Sequence, residues 1–125
     1  MNENEVSEMV LDCCFNIHRI LGPGLFESVY EQILAYELAL KNIKFERQKA
    51  IPLKYGEITF EIGFRIDFFV ENLVILELKS VESILPLHKK QLLTYLKITK
   101  CKLGFLLNFN STLLKDGIIR IVNNL

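Results

Sequence analysis

The segment from Ile58 to Lys79 constrains the fold more than any other part of the chain. From Ile58 to Val70 every second residue is apolar, and polar residues or glycine occupy most of the positions between. Because side chains alternate across a strand, this pattern predicts a strand with one apolar face. Glu71-Asn72 predicts a turn, and the nearly all-apolar stretch Leu73 to Lys79 is typical of a central strand covered on both faces.

The sequence on either side of these two predicted strands predicts helices and further strands. Asn2 and Glu5 form a capping motif ahead of a helix that Gly22-Pro23-Gly24 ends. Pro52 restricts the next strand to a sheet edge or a bulge. The order α, α, β, β, β, α, β, β predicts one α/β (α+β) domain over residues 1–125, with helices flanking a mixed sheet. The other predicted elements are helices at about Phe26–Leu40 and Pro86–Thr99 and strands at Phe45–Tyr55, Lys102–Phe109 and Ile118–Val122.

Composition limits the classes of function. The net charge of zero argues against a strong sequence-independent grip on nucleic acid. Five lysines and no acid lie in residues 86–102, however, so a local basic face is expected. The three cysteines, Cys13, Cys14 and Cys101, make no disulfide or zinc pattern. With an acidic N-terminus and no run long enough to span a bilayer, we expect a cytoplasmic protein without membrane contact.

Charges inside the apolar central strand are the most informative candidates for chemistry. Glu77 and Lys79 are two residues apart, so they share one face, and Asp67 lies near the end of the preceding strand. Buried charges are usually paired or bind a metal. Two carboxylates can hold Mg²⁺, and a nearby lysine can orient or deprotonate a water for phosphodiester hydrolysis. The alternative is a buried Glu–Lys pair that only closes a core.

Shared metal binding by Asp67 and Glu77 depends on the register of the hairpin. A two-residue turn at Glu71-Asn72 would pair Val70 with Leu73 and put the two carboxylates on opposite faces. A three-residue connection that pairs Val70 with Val74, or a bulge, would make Asp67 face Glu77. The metal-site hypothesis therefore predicts the longer connection, with Asn72 in the left-handed conformation.

An ordered set of short motifs resembles a known family. Gly24-Leu-Phe-Glu27-Ser-Val-Tyr30 matches the GxxExxY motif of a small bacterial family in the PD-(D/E)XK nuclease superfamily. The resemblance covers about residues 10–122 and implies a restriction-endonuclease-like αβββαβ core with Asp67, Glu77 and Lys79 as signature residues. Ile66 stands where the superfamily name has proline. The matching pieces after the first are Gln48, Tyr55-Gly56, Gly63 to Asp67, Glu77 to Lys79, His88 to Leu96, Gly104 to Phe109 and Asp116 to Arg120.

The resemblance also suggests residues around the signature set. Glu27 is expected to add to the metal site, as a helix glutamate does in many relatives; the alternative is a capping or solvated side chain. Gln91 and Tyr95 resemble the Gln-xxx-Tyr helix element of RecB-like nucleases, and Gln91 is expected to orient the metal environment. Whether Tyr95, Glu31 or His88 belongs to the site stays open.

The sequence thus predicts a Mg²⁺- or Mn²⁺-dependent nuclease that acts on nucleic acid, DNA rather than RNA. Glu27, Asp67 and Glu77 would hold the metal, and Lys79 would act on the water. A domain this small is expected to form a homodimer if it spans a duplex. The competing hypotheses are a non-catalytic module that binds nucleic acid or protein, and a small-metabolite hydrolase on a similar scaffold.

Overall fold

A computed structural model describes residues 1–125 as three helices around a five-stranded sheet. The predicted order of elements is confirmed, and a 3₁₀ turn that was not predicted, Leu114–Gly117, precedes the last strand. None of the helices has both the length and the apolar character needed to cross a membrane. The elements are α1 (Glu3–Leu21), α2 (Glu27–Leu40), β1 (Phe45–Tyr55), β2 (Ile58–Val70), β3 (Val74–Lys79), α3 (Pro86–Thr99), β4 (Leu103–Asn108) and β5 (Ile118–Val122).

The sheet is mixed, as predicted, and its spatial order follows the chain from β1 to β5. Strands β1, β2 and β3 pair antiparallel, β3 and β4 pair parallel through the α3 crossover, and β5 returns antiparallel to β4. The strand with Pro52 lies at the edge, where a missing N–H costs no ladder bond, and the register shifts between Ile51 and Leu53. The nearly all-apolar β3 is central, with two strands on each side.

Two apolar layers cover the sheet. One face packs against α1 and α2, with Tyr30, Leu34 and Leu38 of α2 buried in the larger cluster. The other face packs against α3 through Leu92 and Leu96. Gly104 of β4 allows this close approach, because a Cβ there would lie 3.1 Å from Leu92 and 3.2 Å from Leu96. The helices thus cover both faces of the central strand β3.

The hairpin between β2 and β3 has the register that the metal-site hypothesis requires. Val70 pairs with Val74, so three residues connect the strands. Asn72 is left-handed with φ 56°, as predicted, and Glu71 is left-handed as well with φ 53°. Glu71 is held there because its carboxylate accepts a bond from Lys44 N at 2.9 Å. The regular two-residue hairpin, which would have refuted a shared site, is absent.

One expectation about β2 is wrong. The alternation predicted that all its apolar side chains face one way, but Phe68 and Val70 lie in the α1–α2 cluster whereas Ile66 lies in the α3 cluster. The exchange of faces occurs at Asp67. Gln48 of β1, which stands opposite Asp67 by register, has φ 48°, and regular pairing is interrupted at this one position. The side chains of β1 change faces at the same level, since Phe45 packs against the α1–α2 cluster and Ile51 lies in the α3 cluster, so the exchange in β2 accompanies this break in the pairing.

Candidate active site

Asp67 and Glu77 meet where β2 and β3 separate. The ladder between the two strands ends at the pair Phe68 and Leu76, and the next positions outward are Asp67 and Glu77. Instead of continuing the ladder, the Asp67 carboxylate accepts a hydrogen bond from Leu78 N at 2.8 Å. The side chain of Asp67 thereby replaces a backbone partner and keeps the two strands apart beside Glu77. We call this point, where β2 and β3 separate at Asp67 and Glu77, the fork.

Glu77 is a buried carboxylate without full hydrogen bonding. It is 8 % exposed, and its Oε1 atom has no hydrogen-bond partner. Burial raises the pKa of Glu77 to about 9, and repulsion from the Asp67 carboxylate adds to the rise. The positive charge of Lys79 lowers the pKa of Glu77, but this offsets only part of the rise. Without a cation nearby, the structure favours the protonated form of Glu77. A carboxylate that is buried in this way, beside a second carboxylate, is typical of a site that binds a cation.

Lys79 shares the face of Glu77 but forms no salt bridge with it. The salt bridges of the molecule join Arg47 to Glu31 and Lys49 to Glu46, and neither includes Lys79. Lys79 is the last residue of β3 and is half-buried, beside Asn108 of β4. The alternative in which Glu77 and Lys79 only form a buried ion pair is therefore not supported. The Lys79 ammonium group is therefore free of any salt bridge.

A second group of polar side chains contacts Asp67 from α2 and β1. Gln48 Nε2 donates to Glu31 Oε1 at 2.7 Å and to Asp67 Oδ1 at 3.1 Å. A cleft of about 260 Å³ is lined here by Glu27, Ser28, Glu31, Gln48, Asp67 and Leu78. Both oxygens of Asp67 are thus fixed by donors, one from Gln48 and one from Leu78.

The GxxExxY segment contacts the end of β3. Glu27, in the first turn of α2, is exposed, and its Oε2 atom accepts from Ser80 N at 3.1 Å. Tyr30 is buried; its hydroxyl donates to Gly22 O at 2.6 Å and accepts from Leu25 N at 3.2 Å. Gly24 has φ 98°, which disfavours other residues there. Gly24 and Tyr30 therefore shape the loop before α2, and Glu27 contacts Ser80, the residue that follows Lys79.

Helix α3 places Tyr95 next to the carboxylates. The Tyr95 ring stacks on Phe64 with centroids 4.1 Å apart. Burial raises the pKa of Tyr95, the charges of Glu77 and Asp67 add to the rise, and a hydrogen bond with Gln91 opposes it. Gln91 is exposed and one turn away. The Nδ1 atom of His88 accepts from Leu85 N at 3.1 Å, so this side chain caps the helix.

The structure brings together some predicted metal ligands and not others. No three His, Cys, Asp or Glu side chains converge closely enough to form a ready metal-binding set. Glu27 lies across the cleft from Asp67, with one oxygen bonded to Ser80 N. The pair of Asp67 and Glu77 nevertheless fits a divalent cation, because the buried Glu77 Oε1 lacks a partner and stands beside a second carboxylate. The role of Glu27 stays a prediction.

Two residues support the site without having been assigned a role from the sequence. Gln48 joins Glu31 to Asp67, and its place in the resemblance was the available signal. Asn108 is buried beside Lys79 and holds the segment after β3: its Oδ1 accepts from Val81 N at 3.1 Å and its Nδ2 donates to Val81 O at 3.0 Å. A buried amide inside the apolar strand β4 was the signal for it.

Comparison with known proteins agrees with this geometry. No curated protein matches the chain, and no solved structure matches it. The model of the PD-(D/E)XK nuclease superfamily matches residues 4–121. This match reaches every strand of the sheet and includes all residues around the fork, and the mixed sheet with flanking helices is consistent with a restriction-endonuclease-like domain. The chain belongs to the PD-(D/E)XK nuclease superfamily.

Proposed function

We propose that this protein is a Mg²⁺- or Mn²⁺-dependent nuclease that hydrolyses phosphodiester bonds, with DNA as its substrate. The observation that carries the proposal is the buried Glu77 carboxylate, unpartnered at Oε1 and next to Asp67, with Lys79 unpaired on the same face. A charged pair in a central strand is costly unless a cation stabilises it. The superfamily supplies the reaction class, since its members are nucleases.

Each residue has a separate task in this proposal. Asp67 and Glu77 hold the metal, and Glu27 completes its environment from α2. A bound divalent ion supplies Lewis-acid polarisation of the phosphoryl oxygen and a lower pKa for water. Lys79 orients the attacking water by hydrogen bonding and stabilises negative charge that develops on the phosphate. Gln91 orients the metal environment from α3, beside Tyr95.

The finer assignments belong to the same proposal. Gly24, Glu27 and Tyr30 each have a distinct structural part in the loop and first turn of α2. Their joint presence supports placement in the GxxExxY family. We also propose a cytoplasmic location, in keeping with the buried, unpaired cysteines. Two active sites are needed to cut both strands of a duplex in one encounter, so the proposal includes a homodimer.

A divalent-metal titration with a supercoiled plasmid tests the activity. Nicked and linear product should require Mg²⁺ or Mn²⁺ and should disappear with excess chelator; single-stranded RNA and DNA of equal length report the preferred substrate. A mobility-shift assay in Ca²⁺ measures binding separately from cleavage. Binding without cleavage under any divalent metal would favour the non-catalytic module, for which the lack of a ready three-ligand set is the supporting observation.

Gln91→Ala should lower the cleavage rate about 10-fold, because Gln91 lies one turn before Tyr95 on α3 and influences the Tyr95 hydroxyl, whose pKa also responds to Glu77 and Asp67. Lys97→Ala is the matched control, since Lys97 is an exposed residue of the same helix. Initial rates of plasmid nicking at saturating metal give the comparison. Equal rates for the two variants would show that Gln91 has no role in the site and that this face of α3 only packs against the sheet.

Gln48→Ala should weaken metal binding about 10-fold, because Asp67 loses one of its two fixed donors. Calorimetric titration with Mn²⁺ measures the change. Unchanged affinity in Gln48→Ala would show that Asp67 does not need Gln48 to bind metal.

A further inference from the structure

The outer half of the β1–β2 hairpin presents large apolar side chains to solvent. We call residues 52–63 the arm. Tyr55, Ile58, Phe60 and Ile62 are 78 %, 58 %, 50 % and 55 % exposed. No helix covers them: the α3 cluster reaches only as far along the hairpin as Ile51 and Phe64. Such a concentration of exposed apolar residues on one short element is unlike the scattered ones of an ordinary surface.

The register places these side chains on one face of the arm. Leu53 pairs with Phe60 and Tyr55 with Ile58, and directly paired residues share a face. Lys54 and Thr59 form the intervening pair on the opposite, polar face. Ile62 lies in the irregular stretch next to this region and adds another exposed apolar group. Tyr55, Ile58, Phe60 and Ile62 are called the arm patch below.

The charge of the arm restricts its partner. One lysine, Lys54, stands against two glutamates, Glu57 and Glu61, so the arm carries one net negative charge. Nucleic acid and anionic membranes both favour excess positive charge, which the arm lacks. An apolar face with a polar back is instead the pattern of a protein–protein interface. Pro52 and the register shift beside it interrupt the strand edge, so contact through the face is favoured over edge pairing.

We propose that the arm patch is the surface through which two copies of this chain form a two-fold dimer. A two-fold interface needs only one self-complementary patch, and a flat apolar face meets this requirement. At the exposures given, the four side chains present roughly 400 Å² per copy. Two copies together bury roughly 800 Å² from these side chains alone, and the flanking backbone and Leu53 bring the total near the roughly 1,200 Å² of a small specific interface.

Matched acidic substitutions along β2 test the surface. Ile58→Glu and Phe60→Glu place a charge in the arm patch, whereas Thr59→Glu places the same charge between them on the polar face, opposite Lys54. Sedimentation equilibrium from about 1 to 200 µM should show a wild-type dimer, at least a 100-fold rise in the dissociation constant for the two patch variants, and less than a 3-fold change for Thr59→Glu. Far-ultraviolet circular dichroism verifies that each variant is folded.

Other outcomes would overturn the proposal. A wild-type chain that stays monomeric across this range has no such dimer, and similar weakening by all three variants would locate the interface elsewhere. The inference does not depend on nuclease activity: the association is measured without metal or substrate. A dimer with no activity would contradict the proposed nuclease activity alone, and an active monomer would contradict this inference and the proposed homodimer while leaving the nuclease activity intact.

Discussion

Replacing Lys79 by methionine should reduce phosphodiester cleavage at least about 100-fold while metal affinity changes little. Methionine keeps the apolar stem of the half-buried side chain and removes only the ammonium group. An ammonium has three donors and no lone pair, so it cannot ligate a cation and its loss leaves Asp67 and Glu77 in place. Single-turnover cleavage and calorimetric Mn²⁺ titration on the same preparation separate the two properties.

Two comparisons make the Lys79 result specific. Lys97→Met removes a charge from an exposed position of α3 and should leave cleavage within about 3-fold of wild type. Lys79→Arg keeps the charge in a different shape and should recover only part of the rate, because guanidinium geometry differs from that of a compact ammonium. If Lys79→Met cut nucleic acid at the wild-type rate, the charge on β3 would have no part in the chemistry.

The hairpin register at the candidate site was predictable because chemistry constrained the geometry. Two carboxylates can share a metal only in one hairpin register, and the register that pairs Val70 with Val74 is the one the chain adopts. The strand β3 was equally clear, since a nearly all-apolar run with Glu77 and Lys79 has few other interpretations. The helix ends also followed from local signals: Asn2 accepts from Glu5 N at 2.9 Å, and Pro86 begins α3.

The parts that were not predictable depend on contacts between distant residues. Gln48 carries no local signal for φ 48°, so the exchange of faces at Asp67 could not be read from alternation. The alternation of Ile58 and Phe60 correctly indicates an apolar face but does not say what covers it. The resemblance led us to expect Glu27 at the metal site, and in the structure Glu27 is exposed and bonded to Ser80 N. A place in the first turn of a helix does not determine where a flexible carboxylate ends.

Glu77 should make the metal-free protein less stable as the pH rises. Its pKa is about 9 in the folded chain against an ordinary value of 4.5, because of burial and then the charge of Asp67. A carboxyl whose pKa is raised by folding binds its proton more tightly in the folded state. Its contribution to the free energy of unfolding is therefore complete below about pH 4.5 and is lost progressively as the pH rises towards 9.

Glu77→Gln should accordingly stabilise the metal-free protein at pH 8 by about 2 kcal/mol, since glutamine keeps the shape and removes the ionisation. The two proteins should approach equal stability near pH 5. Addition of Mn²⁺ should reverse the order: the wild type gains stability from metal binding, whereas the variant, with one charged ligand fewer, gains much less. Urea denaturation in chelator and in Mn²⁺, at pH 5 and pH 8, measures all four states.

Glu82→Gln is the matched control, because Glu82 is exposed and the substitution removes the same charge at a position outside the site. It should shift stability by less than about 0.5 kcal/mol and should leave the response to Mn²⁺ intact. The decisive sign is that of Glu77→Gln in chelator at pH 8. A loss of stability there would mean that Glu77 is ionised and satisfied by neighbouring groups, as in a closed ion pair, and the fork between β2 and β3 would then have no need of a cation.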